Sequence, residues 1–301
     1  MDDVSTPVAM TLDAVIVAVS NDRPRLLVVE SEGAPPALPA GPLDPDRDVT
    51  LELALRRWVR EQTGLELGYV EQLYTFGDLG RRPDAGPERE VSVAYLALVR
   101  EAEPLPEARY LDVYELLPWE DHRAGVPDVL ATTIRPALER WAGDDPERRD
   151  RLAMTFGPPW DGIKVLERYE LLYGAGLITE RAIDEGRPLD GPTVGQPMRF
   201  DHRRIAATAL GRLRGKLTYR PVVFELLPER FTLLELQRTV EALAGVPLHK
   251  QNFRRMIERS GLVEGTGERV RGLGGRPAEL FRYRPAVLTE RPSPGVARAV
   301  R

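Results

Sequence analysis

FTLLELQRTVEALAGVPLHKQNFRRMIERSGLVEGTGERVRGLGGRPAELFRY, residues 231–283, decides the fold of the C-terminal part of the chain. Thr232 is placed to cap a helix, Glu235 follows at the spacing of a capping box, and Gly245 stops the helix. A short VPL turn leads into HKQNFRRMIERSG, where Phe253, Met256 and Ile257 recur at i, i+3 and i+4 as one apolar stripe. LVEGTGERVRGLGGRPAELFRY then reads as two strands around a Gly/Arg-rich tip. Upstream, FDHRRIAATALGRLRGKL (200–217) reads as a first helix and VVFELLP (222–228) as a short strand. Helix, turn, helix and hairpin in this order make a winged helix.

The third helix carries the chemistry. His249, Lys250, Gln251, Asn252 and Arg255 project away from the apolar stripe at the amino end, the part that such a helix places in the major groove. Arginine pairs with guanine, and asparagine or glutamine with adenine, through bidentate hydrogen bonds. At the wing, Arg269, Arg271 and Arg276 stand among glycines, within reach of phosphate or the minor groove. Arg203, Arg204, Arg212, Arg214 and Lys216 on the first helix are candidates for further backbone contacts. Charge agrees. Residues 201–301 hold 20 Lys+Arg and 10 Asp+Glu, which leaves 22 and 37 for residues 1–200. A basic module thus follows an acidic body.

That body begins with VAMTLDAVIVAV (8–19) and RLLVVE (25–30), two strands joined by NDRP. A Pro/Gly-rich loop (33–48) precedes the amphipathic helix TLELALRRWVREQTG (50–64), with Thr50 as its cap and Gly64 as its stop. Strands follow at 68–77 and 91–99, and a helix at about 126–142 closes a mixed α/β region. Residues 143–199 read as helical, with Val165, Leu166, Tyr169, Leu172 and Tyr173 on one face. Within them, the Pro/Gly-rich stretch 186–198 is the best linker candidate. The expected organisation is therefore an α/β sandwich at 1–142, a helical insertion or linker at 143–199, a winged helix at 200–284 and a flexible tail at 285–301.

Composition bounds the rest. The 301 residues are 42% hydrophobic and 30% charged, ordinary globular usage with enough chain for about two domains. No apolar run approaches the ~20 residues that span a bilayer. The first residues are acidic where a signal peptide is basic, so a cytoplasmic protein is expected. The chain has no cysteine and only three histidines, which excludes disulfides, thiol nucleophiles and cysteine-ligated metals.

Residues 57–65, RWVREQTGL, resemble the core of the Nudix box, RExxEExGL, in which carboxylates on one helix face hold magnesium against a diphosphate. Arg57, Glu61, Thr63, Gly64 and Leu65 match. Trp58 and Gln62 occupy the first and last acidic positions, and Leu43 and Val49 fall where the upstream glycine and glutamate are expected. A Nudix-like domain ahead of a winged helix resembles the Nudix-related transcriptional regulators, the NrtR family. The C-terminal half carries the stronger likeness, and 143–199 exceeds a typical member's connection.

This resemblance implies a homodimer on palindromic operator DNA, a repressor of genes for nicotinamide-cofactor or sugar metabolism. It implies a Nudix domain that senses ADP-ribose or a similar nucleotide, with no catalytic residue, cofactor or metal assigned. It places DNA reading on Lys250, Gln251, Asn252, Arg254 and Arg255, with Arg276 on the wing, and ligand binding on Arg81, Arg82 and Glu61. Two other readings stay open. One is an active Nudix-type hydrolase that draws carboxylates from Glu52, Glu61 and Glu88 or Glu90. The other is a winged helix that docks onto protein.

Overall fold

The computed structural model describes residues 8–78, 89–270, 277–290 and 295–296. Strand β1 (Val8–Ser20) is the centre of the sheet. Its run from Leu12 to Ala18 is buried on both faces, with Asp13 the one charge in it. It pairs in parallel with β5 (Arg89–Leu98), from Val8 opposite Arg89 to Val17 opposite Leu98. Along its other edge β1 divides. Thr11–Asp13 pair with β3 (Ala40–Pro42), and Val17–Ser20 pair with β2 (Arg23–Val29). The β1–β2 turn is tighter than the NDRP stretch suggests. Asn21 and Asp22 both take positive φ, as a two-residue hairpin with matched twist requires, so Pro24 falls inside β2. With β4 (Tyr69–Phe76) and β6 (Ala108–Asp112), the strand order is β4-β5-β1-β2-β6.

Helix α1 (Leu51–Thr63) forms where the sequence predicts it. The Thr50 hydroxyl accepts from the Leu53 amide at 3.2 Å, and Gly64 ends the helix at φ +73°. Its Ala54, Leu55 and Val59 cover one face of the sheet against Leu12, Ala14 and Ile16. After β6 come a single helical turn, α2 (Val113–Leu116), and a 3-10 turn over Pro118–Glu120. The helix expected at 126–142 takes the form of a π-helical turn, Leu130–Ile134, that leads into α3 (Arg135–Ala142). Segment 143–199 contributes α4 (Pro146–Phe156), α5 (Val165–Gly174) and α6 (Thr179–Asp184).

The C-terminal part supplies α7 (His202–Leu217), α8 (Leu233–Ala244), α9 (Lys250–Ser260), a hairpin of β7 (Val263–Val270) with β8 (Ala278–Tyr283), and α10 (Val287–Glu290). The stretch 222–228 is not a strand. Val222–Leu226 form a 3-10 turn behind Pro221, and Val222, Val223 and Leu226 point into the core. Its β-branched pair serves burial, with no strand partner among the described residues.

The second face of the sheet explains the packing of everything downstream. Val15 and Val17 belong to one continuous core with Tyr169 and Leu172 of α5, Leu210 and Leu213 of α7, and Leu236 and Val240 of α8. The winged helix and segment 143–199 therefore share the core of the sheet that they follow. In the expected tail, Val287 and Val296 are buried in that core too, and the Val296 amide donates to the Leu217 carbonyl at 2.8 Å.

Candidate nucleic-acid interface

Helix α8 carries the expected capping box: the Glu235 amide donates to the Thr232 hydroxyl at 3.2 Å, and the Thr232 amide to the Glu235 carboxylate at 2.6 Å. Gly245 closes it in the left-handed conformation. The turn that follows is pinned by Glu241, which accepts from the Leu248 amide at 2.8 Å and from Gln237 Nε2 at 2.9 Å. Gln237 Nε2 also donates to the Leu248 carbonyl at 3.0 Å. Residues 246–249 thus have little freedom, and α9 leaves the turn in a set direction.

On α9, Phe253 and Ile257 are fully buried and Met256 half-buried, as the stripe predicts. Lys250, Gln251, Asn252, Arg254 and Arg255 are exposed together, and among the described residues none of their side chains has a hydrogen-bond or ion-pair partner. The first turn holds no acid, so Lys250 and the positive end of the helix reinforce one another. The wing extends this face. β7 and β8 pair from Val263 opposite Tyr283 to Val270 opposite Ala278, with an irregularity between Gly265 and Arg269 that turns the outer part. Arg269 is exposed there. Arg271 and Arg276 lie outside the described residues.

The basic first helix behaves differently from expectation. Arg203 is fully buried; Nη2 donates to Glu180 at 2.5 Å, and Nη1 to the carbonyls of Val194 and Gln196 at 2.9 and 3.0 Å. Arg204 pairs with Glu170 and Asp78. Arg214 is buried on Glu120, and Lys216 is bound to Glu71 and Tyr69. Of the five cations, only Arg212 stays exposed without such a partner among the described residues. Four of the five sites offered for DNA backbone contacts therefore face the acidic body, whose carboxylates take up their charge.

The region of α1 is held by side-chain contacts to neighbouring side chains and backbone. Arg57 forks onto Asp48 at 3.0–3.2 Å and lies 3.6 Å from Glu61. Its hydrogen bonds hold the Asp48 carboxyl below the usual carboxylate range. Trp58 Nε1 donates to the Pro42 carbonyl at 2.9 Å, and its indole lies so close over Gly41 that a Cβ there would come within 2.1 Å of the ring. Gln62 clasps Ala40 from both sides, accepting from its amide at 3.0 Å and donating to its carbonyl at 2.7 Å. Glu61 is exposed beside them. Arg81 and Arg82 lie outside the described residues.

A buried polar cluster ties the loop before α1 to α7. Asp13 accepts from the Ser92 hydroxyl and lies 3.3 Å from His202 Nε2. His202 Nδ1 accepts from the Leu38 amide at 2.9 Å, which assigns the proton of the neutral ring to Nε2. Arg199 adds a backbone bond to the Pro36 carbonyl at 2.9 Å. Sequence reasoning missed this cluster, although one signal was there: Asp13 interrupts an otherwise apolar strand.

The fold and these sites define a class: an α/β sandwich with a Nudix-type helix, joined to a winged helix that presents an open basic face. A family model described as the NUDIX domain matches residues 10–140, and one described as the NrtR DNA-binding winged helix domain matches residues 223–283. The two matches lie on one chain, the NUDIX model ahead of the winged helix model. Over 278 residues, 91% of this chain and 81% of the relative, it is 25% identical to the ADPR responsive transcriptional repressor NtrR of Acinetobacter baylyi. Two solved structures share the fold. One is Shewanella oneidensis NrtR complexed with a 27mer DNA, with TM-score 0.58, 22% identity, and 93% of this chain and 95% of that chain covered. The other is a MutT/nudix family protein from Enterococcus faecalis, with TM-score 0.54, 17% identity, and 93% and 88% covered. Among the described residues, no helix is long and apolar enough to cross a membrane.

Proposed function

We propose that this chain is a cytoplasmic DNA-binding transcriptional regulator, a repressor, whose Nudix domain receives a nucleotide-type metabolite such as ADP-ribose. The observation that carries the reading is the face of α9, where three cations and two amides are exposed together without internal partners on a helix–turn–helix with a wing. Buried or paired cations serve the fold; a cluster left open on a rigid helix serves a polyanion. Lys250, Gln251, Asn252, Arg254 and Arg255 are assigned to the major groove and Arg276 to the wing contact. As a homodimer, the protein would set two such helices about one helical turn apart, ~34 Å, on a palindromic operator. The relative's description as an ADPR responsive repressor supports both halves of the reading. The regulated genes are those of NAD or sugar metabolism.

For the Nudix half, the donor set on α1 does not fit magnesium. Hard Mg²⁺ requires several oxygen ligands. Trp58 and Gln62 stand where the box has acids, and both are committed to the backbone of Pro42 and Ala40. Glu61 is the one carboxylate left at the matched positions of the core. We therefore assign the domain to sensing rather than hydrolysis, with Glu61, Arg81 and Arg82 as ligand contacts. Ligand releases or strengthens DNA binding only through unequal affinity for the two arrangements, and a coupling of about 1–3 kcal/mol changes affinity about 5–150-fold.

The test is binding to the DNA fragment upstream of the protein's own gene, at two salt concentrations, with and without ADP-ribose. Saturable, salt-sensitive binding that ADP-ribose alters is expected. Absence of binding at either salt refutes the regulator, and magnesium-dependent turnover of ADP-ribose refutes the sensor.

A further inference from the structure

We propose that Glu120 positions the DNA-reading helix, a role that rests on the DNA-binding reading above. Glu120 has no exposed surface and lies where three parts of the chain meet. It ends the 3-10 turn that follows the sheet. Arg168, from α5, forks onto its carboxylate, Nε to Oε1 at 2.6 Å and Nη2 to Oε2 at 3.0 Å. Arg214, from α7, donates Nη1 to Oε2 at 2.5 Å and Nη2 to the Glu120 carbonyl at 3.0 Å. The Trp160 ring lies 3.9 Å from the Arg168 guanidinium, on one side of it. One carboxylate thus holds two arginines that come from separate segments.

Arg214 passes this constraint to the helix–turn–helix. Its Nε donates to the Leu243 carbonyl at 3.0 Å. Beside it, the Tyr114 hydroxyl donates to the Ala242 carbonyl at 2.5 Å, and the His122 amide donates to the Gly245 carbonyl at 2.7 Å. Ala242, Leu243 and Gly245 form the carboxyl end of α8, where a helix leaves its carbonyls without partners of its own. Here donors from the sheet domain and from α7 supply those partners, and a buried cation sits at the negative end of the helix. The direction of α8, and through the pinned turn the direction of α9, is set relative to the sheet by the group that orients Arg214.

Segment 143–199 gains a role in the same geometry. Without Arg168, Glu120 Oε1 would lose its charged partner, and the carboxylate that orients Arg214 would be held from one side only. The segment is a brace. In a dimer, the angle between sheet and α9 decides whether both helices meet their half-sites at once, so Glu120 governs operator affinity without touching DNA.

The absence of native cysteine permits a direct test. Spin labels at Glu66→Cys and Glu258→Cys, two exposed positions on the sheet domain and on α9, report the distance between them in chains diluted with unlabelled protein. Glu120→Gln keeps the shape and removes the charge. The expected result is one narrow distance distribution in the parent and a shifted or broadened one in Glu120→Gln. In the unlabelled chain, affinity for the upstream duplex should fall by about tenfold. Affinity for a scrambled duplex of equal length should hold, a split that loss of folding would not produce. An unchanged distribution and an unchanged ratio of the two affinities in folded Glu120→Gln overturn the proposal. If that variant does not fold, Arg168→Met takes the same readouts with the same two outcomes. Failure of the parent to bind either duplex overturns the DNA-binding reading instead, whatever the distances.

Discussion

Replacing Gly245 with alanine probes how firmly the turn before α9 is held. Gly245 has φ +71°, and a side chain in this left-handed region costs about 1–2 kcal/mol. The added Cβ would also come within 2.4 Å of the Glu120 carbonyl oxygen and 2.5 Å of Arg214 Nη2. Neither can step aside cheaply, because Glu120 is fully buried and Arg214 is bonded to Glu120, Leu243 and Gly162. Overpacking of this kind costs about 1–3 kcal/mol more, for a total of about 2–5 kcal/mol. Gly33 is the control. Its φ is +72°, yet nothing lies within 4 Å of its would-be Cβ, so Gly33→Ala isolates the backbone part, about 1–2 kcal/mol. Urea unfolding of both variants, extrapolated to water with the slope checked for constancy, measures the difference. Gly245→Ala should be less stable than Gly33→Ala by about 1–3 kcal/mol. Equal losses would mean that the turn has slack, and the reasoning about a fixed α9 would fail.

Three further outcomes follow from the same contacts. Arg255→Ala should weaken operator binding by about 1–3 kcal/mol and leave the unfolding midpoint unchanged, because its side chain is exposed and unpaired among the described residues; an unchanged dissociation constant would remove it from the interface. Gln62→Glu loses the donor to the Ala40 carbonyl and sets two oxygens against each other. A stability loss of about 1–3 kcal/mol in thermal melts is expected, and a neutral effect would show that the clasp is dispensable. Burial holds the His122 imidazole below its ordinary 6.5. The unfolded chain then binds that proton at higher pH than the native chain, so this stability is complete above 6.5 and is lost as pH falls through the lowered value. Glu180 and Asp184, raised by burial, act in the opposite sense above 4.5 and 3.8. His122→Gln should flatten the decline of the melting temperature just below pH 6.5, and parallel curves would refute the assignment.

Elements governed by local signals were legible from sequence. α1, α8 and α9 each begin at a capping or turn residue, run on an apolar stripe and end at a left-handed glycine, Gly64, Gly245 or Gly261. Elements that exist only through a distant partner were not. β3 is three residues, Ala40–Pro42, with a proline at its end, and β1 alone makes it a strand. β6 was missed because ARYLD carries no strong alternation; its pairing with β2 defines it. Conversely, 222–228 has strand composition, and burial of Val222, Val223 and Leu226 turned it into a 3-10 segment. The α9 face was readable because charged residues at helical spacing stay outside the apolar stripe. The role of the α7 cations was not, since the same spacing serves DNA or carboxylates equally well.

The sequence by itself determined the modules and their order: cap, stripe and stop residues specify the helices through bonds three or four residues long. The basic character of the C-terminal part was likewise plain in it. Tertiary structure alone decided which cations are spent inside the protein and how the winged helix is held to the sheet. The bonds from Arg168 and Arg214 to Glu120 span 48 and 94 residues, far beyond any helical or strand period. A buried charge finds its partner through the shared core that brings distant segments together, and only the folded chain contains that core.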